Sequence, residues 1–193
     1  MNNGSKKPTR LIRSKIITIG DGAVGKTSIV RRYLGWGFEQ RYLPTIGADF
    51  YTDEREYNLK EALLTVDWTV WDISGQPEFK EIRDKYYLGA GGSLVVFDIT
   101  RKRTAENTKK WISEFFKKVN RNKPCVLLGN KIDLREQGLE EVPTEKGKQL
   151  AEELSLKYGL KIPYLETSAK TKKNLEKAFQ NLAVKIAKNL GEF

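Results

Sequence analysis

Residues 20–27 read GDGAVGKT, a glycine-spaced stretch closed by a lysine and a hydroxyl residue, and that combination suits the holding of a polyphosphate. Successive backbone N–H groups of Gly20, Asp21, Gly22, Ala23, Val24 and Gly25 can point at one anion. Gly22 and Gly25 are expected to let the chain approach closely, and a helix starting behind the loop would add the positive end of its dipole. In this arrangement Lys26 reaches the β- and γ-phosphates, Thr27 offers a hydroxyl to Mg²⁺, and Ser28 belongs to the same cradle.

Two further stretches fit a nucleotide base. NKID (130–133) and ETSAK (166–170) each follow an apolar run. The Asp133 carboxylate can accept from N1–H and the exocyclic amine of guanine at once, whereas adenine offers it a lone pair and a C–H. A site built on such a pair of bonds discriminates by about 10⁴–10⁵. Asn130 would brace the loop and the stem of Lys131 would cover one face of the base. Ser168, Ala169 and Lys170 would form the facing loop, with the Ala169 N–H directed at guanine O6. Taken alone, NKxD is a weak four-residue pattern; the order of the three stretches gives it weight. WDISGQPEF (71–79) then gains a role beyond a strand-to-loop exit. Asp72 would hold Mg²⁺ beside the phosphate loop, Gly75 would give an N–H to a γ-phosphate, and Gln76 would orient an attacking water.

These residues need a scaffold that gathers them. KIITIG (15–20) is a short apolar run, and KTSIVRRYLG (26–35) carries Ile29, Val30 and Leu34 at helical spacing. Two alternating runs, about 49–58 and 63–73, suggest an antiparallel hairpin. SLVVFDI (93–99) and PCVLLGN (124–130) are continuous apolar runs typical of parallel strands covered on both faces. Residues 104–120 place Trp111, Ile112, Phe115, Phe116 and Val119 on one helical stripe. A further helix is predicted over 144–157, a strand over 162–168, and a last helix over 174–190 with Leu175, Ala178, Phe179, Leu182, Ile186 and Leu190 inward. The alternation predicts an α/β fold of P-loop type: a six-stranded, mostly parallel sheet with one antiparallel hairpin and helices on both faces. Ligands of such sheets sit at the carboxyl ends of the strands, where all the stretches above fall.

Composition sets the boundaries. The 193 residues suit one domain, with 39% apolar and 31% charged residues and no apolar run near the roughly 18 needed to span a bilayer. One cysteine, Cys125, precludes an internal disulfide, and the N-terminus carries charge without an apolar segment behind it, so the cytoplasm is the expected compartment. The net charge of +10 is diffuse. Its densest cluster, Lys6, Lys7, Arg10, Arg13 and Lys15, has no interleaved aromatics to stack on bases, so nucleic acid is not an expected partner. Residues 1–13 read as a flexible basic arm, 14–190 as the folded domain and 191–193 as a tail.

With these motifs in order from about 14 to 190, the chain resembles Ras-superfamily small GTPases, most closely the Rab type. The resemblance implies a GTP/GDP switch with Mg²⁺ as cofactor and slow hydrolysis. It implies that Thr45 of LPTIG binds the metal and the γ-phosphate, that Phe38 packs edge-on to the guanine, and that Tyr42 lids the phosphates. It further implies that Phe50, Trp71 and Tyr86 meet protein effectors and regulators. Lys26, Thr45, Gly75 and Gln76 are the expected catalytic set, Thr27, Thr45 and Asp72 the expected metal ligands, and Arg41 a candidate internal arginine. The chain departs from the family at Ser74, where alanine is usual, at Pro77, where an acidic residue is common, and in a hairpin connection around 58–64 that looks long. No cysteine near the C-terminus can carry a prenyl group, and Asn2 does not accept myristate. A monomer is expected, with membrane contact at most electrostatic. Two other readings stay open at this point: a nucleotide-dependent binding module with little hydrolysis, and an RNA- or ribosome-associated GTPase.

Overall fold

The computed structural model describes residues 7–39, 43–119, 122–135 and 141–193. Strands and helices alternate: β1 (Thr9–Ile19), α1 (Lys26–Tyr33), β2 (Ala48–Asn58), β3 (Leu63–Ile73), α2 (Lys80–Tyr87), β4 (Gly92–Asp98), α3 (Lys102–Lys118), β5 (Cys125–Asn130), α4 (Thr144–Tyr158), β6 (Tyr164–Glu166) and α5 (Leu175–Asn189). Short 3₁₀ turns stand at Pro77–Phe79 and Ile132–Leu134. The sheet order is β2-β3-β1-β4-β5-β6, with β2 and β3 antiparallel and every other neighbouring pair parallel. The predicted six-stranded α/β architecture is what the chain adopts.

Alternation along the central strands divides the core into two layers. Leu94 and Val96 of β4 and Val126 and Leu128 of β5 face one layer, with Ile29 and Val30 of α1 and Phe179, Leu182 and Ile186 of α5. Val95, Phe97, Cys125 and Leu127 face the other, with Ile112, Phe115 and Phe116 of α3 and Leu150 and Leu154 of α4. An isolated helix of 15 residues is marginal in water. Helix α5 is held by burying seven residues, among them Leu175, Phe179, Leu182 and Ile186, each large side chain contributing about 1.5–3 kcal/mol. Leu190, expected inward, lies past the helix end and is exposed.

Three expectations change. Residues 9–13, expected in the arm, form the first half of β1 and pair with β3 from Thr9↔Leu63 to Arg13↔Asp67. Ile12 sinks into the core at 3% exposure while Leu11 stays outside, and the flanking Arg10 and Arg13 hide that alternation in the sequence. Lys7 adds hydrogen bonds from Nζ to Asn58 Oδ1 and Leu59 O, both 2.8 Å. The hairpin connection is short: Leu59 N–H donates to Ala62 O at 2.9 Å between two eleven-residue strands. The strand predicted over 162–168 is confined to Tyr164–Glu166, because the segment turns away after Glu166 to enter the ETSAK loop. Helix α2 was not predicted: KEIRDKYY is mostly charged, and only Arg83 and Tyr87 are buried.

Candidate functional site

Strand β1 ends at Ile19 and delivers the glycine-rich loop to the carboxyl edge of the sheet. Gly20 sits at φ +144°, and a Cβ there would collide with the carbonyl of Val96 on β4. Gly25 sits at φ +96° against the side-chain amide of Asn130, so it too must lack a Cβ. Gly22 has nothing within 4 Å of its Cβ position and faces the open cleft. Lys26, the first residue of α1, is buried, and its Nζ donates to the carbonyls of Gly20 and Asp21 at 2.9 Å each. Burial lowers its pKa to about 8, against the opposing pull of the Asp72 and Asp21 carboxylates.

At the end of β3, Asp72 is fully buried beside Thr18 of β1, whose hydroxyl donates to Asp72 Oδ1 at 2.8 Å. Its other oxygen accepts from the Thr27 hydroxyl, and Thr45 Oγ1 lies 2.9 Å from Thr27 Oγ1 and 3.5 Å from Asp72 Oδ2. Burial raises the Asp72 pKa, while the Lys26 charge and the Thr27 and Thr18 hydrogen bonds act against that rise. Among the described residues no cluster of three or more His, Cys, Asp or Glu could cage a metal. Two hydroxyls and one carboxylate, all hard oxygen donors, fit a cation such as Mg²⁺ that keeps water and phosphate oxygens for its remaining positions.

The NKID and ETSAK loops are tied to the glycine-rich loop through one side chain. Asn130 Nδ2 donates to Val24 O at 2.9 Å, and Asn130 Oδ1 accepts from Thr167 Oγ1 at 3.2 Å and from the Ala169 N–H at 3.3 Å. The Ala169 amide, expected to point at a base, is thus engaged with Asn130 in this structure. Ser168 Oγ donates to Asp133 Oδ1 at 2.5 Å, which orients the carboxylate. Lys131 takes a left-handed conformation (φ 71°), and its Nζ pairs with Asp98 Oδ2 at 2.7 Å. Burial alone would raise the Asp98 pKa, but hydrogen bonds from Lys131 and Thr100 outweigh it and hold the carboxyl below its ordinary value. Behind the loop, Glu166 accepts from Arg135 at 2.6 Å and from Thr144 at 2.8 Å.

On the opposite wall Gly75 packs so closely on the glycine-rich loop that a Cβ would collide with the backbone of Gly20 and Asp21. Ser74 is buried, and its Oγ accepts the Gln76 N–H at 3.4 Å. A cleft of about 530 Å³ joins all these parts. Its wall includes Gly22, Ala23, Gly25, Lys26, Thr27, Ser28, Phe38, Thr45, Gly75, Gln76, Asn130, Lys131, Asp133, Ala169 and Lys170. Gly20, Asp21, Val24, Asp72 and Ser168 are not among its lining residues. Tyr42 and Arg41 lie outside the described residues. At the far side of the hairpin, Phe50, Trp71 and Tyr86 form a row, with ring centres 5.5 and 5.3 Å apart, and Phe50 is 63% exposed.

Several participants carry no sequence signal of their own. The Asp21 carboxylate is held by Asn107 Nδ2 and Trp111 Nε1, both at 2.7 Å, although the stripe over 104–120 marks Trp111 only as core. Arg101 donates to Gly22 O at 3.0 Å and to Asp98 Oδ2 at 3.1 Å. Arg83 donates to Gln76 O at 3.1 Å. Each comes from a helix start or a helix face whose pattern reads as ordinary amphipathic surface.

The Ras family profile matches residues 15–188. The chain is 38% identical over 177 residues to "Ras-related protein RABD1" of Arabidopsis thaliana, covering 92% of this chain and 80% of that protein. It is also 38% identical over 172 residues to "Ras-related protein RIC1" of Oryza sativa subsp. japonica, covering 89% of this chain and 79% of that protein.

Proposed function

Because this chain belongs to the Ras family, we propose that it is a GTP/GDP switch that hydrolyses GTP slowly and signals through the loops carrying Thr45 and Gln76. The observation that carries this reading is the meeting of Thr45, Thr27 and Asp72: a threonine from a loop 18 positions beyond Thr27 reaches within 2.9 Å of its hydroxyl, beside a buried carboxylate. An exposed loop anchored at one hydroxyl can be ordered or released by what binds there.

Asp133, oriented by Ser168, selects guanine, and Asn130 keeps the base loops and phosphate loop as one unit. Lys26 leaves the carbonyls of Gly20 and Asp21 to meet the β- and γ-phosphates, and Phe38 and the stem of Lys131 flank the base. Thr27, Thr45 and Asp72 would hold Mg²⁺, which when bound neutralises phosphate charge. Gly75 offers its N–H to the γ-phosphate, and Gln76 orients water for in-line attack. Phe50, Trp71 and Tyr86 offer an aromatic row to protein partners. No helix among the described residues is long and apolar enough to cross a membrane, and the protein acts in the cytoplasm or at a membrane surface through its positive charge.

An arginine inserted at the transition state is worth about 10³–10⁵ in rate. We expect the chain alone to turn over below about 10⁻² s⁻¹. Single-turnover hydrolysis with and without EDTA tests the reading. Gln76→Leu should remove most of the Mg²⁺-dependent rate and leave GTP affinity within a few-fold. An unchanged rate would favour a binding module in which Gln76 aims no water.

A further inference from the structure

Helix α3 presents Asn107, Trp111 and Glu114 at spacings of four and three, so the three side chains stand on one stripe. The edge of the Trp111 ring donates from Nε1 to Asp21 Oδ1 at 2.7 Å, and Asn107 takes the other oxygen of that carboxylate. The same ring's face carries the Arg83 guanidinium, 4.5 Å from its centre, and Glu114 Oε2 lies 3.7 Å from an Arg83 terminal nitrogen. Arg83 in turn donates to the carbonyl of Gln76 at 3.1 Å. One indole therefore touches the phosphate loop with its edge and the water-orienting loop with its face, through a single arginine.

The Gln76 backbone is gripped at both ends. Its N–H meets Ser74 Oγ at 3.4 Å, its carbonyl meets Arg83, and Pro77 restricts the next residue. Arg83 is only 4% exposed, and its Nε has no hydrogen-bond partner among the described residues. A buried guanidinium with an unmet donor is costly. Its stacked and forked contacts use properties that a lysine lacks. Helix α3 is itself fixed, with Ile112 and Phe115 fully buried.

We propose that Arg83 is a positioning residue for hydrolysis, carried on Trp111 so that helix α3 sets the place of Gln76 relative to the phosphate loop. The proposal rests on the assignment of Gln76 to water placement. Arg83 does not line the cleft. Its loss frees the Gln76 carbonyl and lets the side chain wander, and misplacement on the scale of 1 Å costs up to about 100-fold in rate.

The test compares Gln76→Leu, Arg83→Ala, Arg83→Lys, Trp111→Phe and the double variant Trp111→Phe/Arg83→Ala of the full chain. Single-turnover GTP hydrolysis and GDP affinity are measured for each. Arg83→Ala should slow hydrolysis by about 10- to 100-fold with GDP affinity within twofold, and Arg83→Lys should recover little of it. Trp111→Phe keeps a ring face and loses the indole donor, so it should slow hydrolysis less. The double variant should be no slower than Arg83→Ala, since both act through one chain of contacts. Should Arg83→Ala prove unfolded, the slower rate of Trp111→Phe at unchanged GDP affinity stands as the test. If Gln76→Leu slows hydrolysis but Arg83→Ala and Trp111→Phe do not, the bridge is overturned and the switch reading survives. Equal loss of affinity and rate in Arg83→Ala would make the residue merely structural and overturn the proposal. No effect of Gln76→Leu would overturn both.

Discussion

Raising the pH from 7 to 8.5 discharges Lys26 in the free protein, and the consequence for nucleotide binding can be worked out. Burial has brought the pKa of Lys26 to about 8, although its ammonium group still donates to two carbonyls of the phosphate loop. A bound polyphosphate places negative charge against that nitrogen and raises its pKa again. Between the two values, binding must take up a proton, so affinity falls as pH rises above about 8. The charged fraction of free protein drops from roughly nine-tenths at pH 7 to roughly a quarter at pH 8.5, so GDP should bind about fourfold more weakly, close to 0.8 kcal/mol. The same lysine acts on folding with the opposite sense. Its folded pKa lies below the unfolded one, so the unfolded chain binds more protons between about pH 8 and 10.4, and the nucleotide-free protein gains stability as pH rises through that window. Calorimetric GDP titrations at pH 8.5 in two buffers of different ionisation enthalpy read the proton uptake directly, expected near 0.75 per nucleotide and near 0.1 at pH 7. Lys26→Arg, charged throughout, should take up none at either pH, whatever its absolute affinity. Uptake near zero at pH 8.5 in the unaltered chain would refute the placement of Lys26 against the phosphates.

Asn130→Ala removes one hydrogen bond to the glycine-rich loop and two from the ETSAK loop. Chemical denaturation should show a loss of about 1.5–4 kcal/mol in the free protein, and GDP affinity should fall by more than tenfold. Ile12→Ala, at the buried end of the β1 extension, should cost about 2–5 kcal/mol in the same assay while GDP affinity at saturating Mg²⁺ stays within twofold. A normal stability for that variant would mean that residues 9–13 do not pair with β3 in solution.

The parts of the site legible in the sequence are those where one residue type is chemically required. Gly20 and Gly25 adopt backbone angles and contacts that admit no Cβ, and Lys26 and Asp72 are charged side chains buried at a helix start and near a strand end. The continuous apolar runs of β4 and β5 were legible because both their faces are covered. What escaped was set by tertiary geometry. Trp111 satisfies a core stripe with its ring while its single polar atom reaches Asp21, and no periodicity distinguishes that use from simple packing. Arg83 belongs to a helix with few apolar residues, so neither α2 nor the arginine's burial on Trp111 could be foreseen. The extension of β1 escaped because its one buried residue, Ile12, stands among exposed ones, Arg10 and Arg13 included, that read as a solvated arm. Ala169 shows the limit within a motif: its place in ETSAK is plain, but the direction of its N–H toward Asn130 depends on the end of the neighbouring strand β5, 39 residues earlier in the chain.

The central claim is that one cleft joins a polyphosphate cradle to a carboxylate matched to guanine. Competition binding in Mg²⁺ with GTP, ATP and xanthosine triphosphate, on the unaltered chain and on Asp133→Asn, tests it most directly. The account predicts GTP favoured over ATP by about 10⁴ or more, and a shift of Asp133→Asn toward xanthosine triphosphate, because the amide donates where the carboxylate accepted. ATP binding as tight as GTP, or a preference untouched by Asp133→Asn, would contradict it.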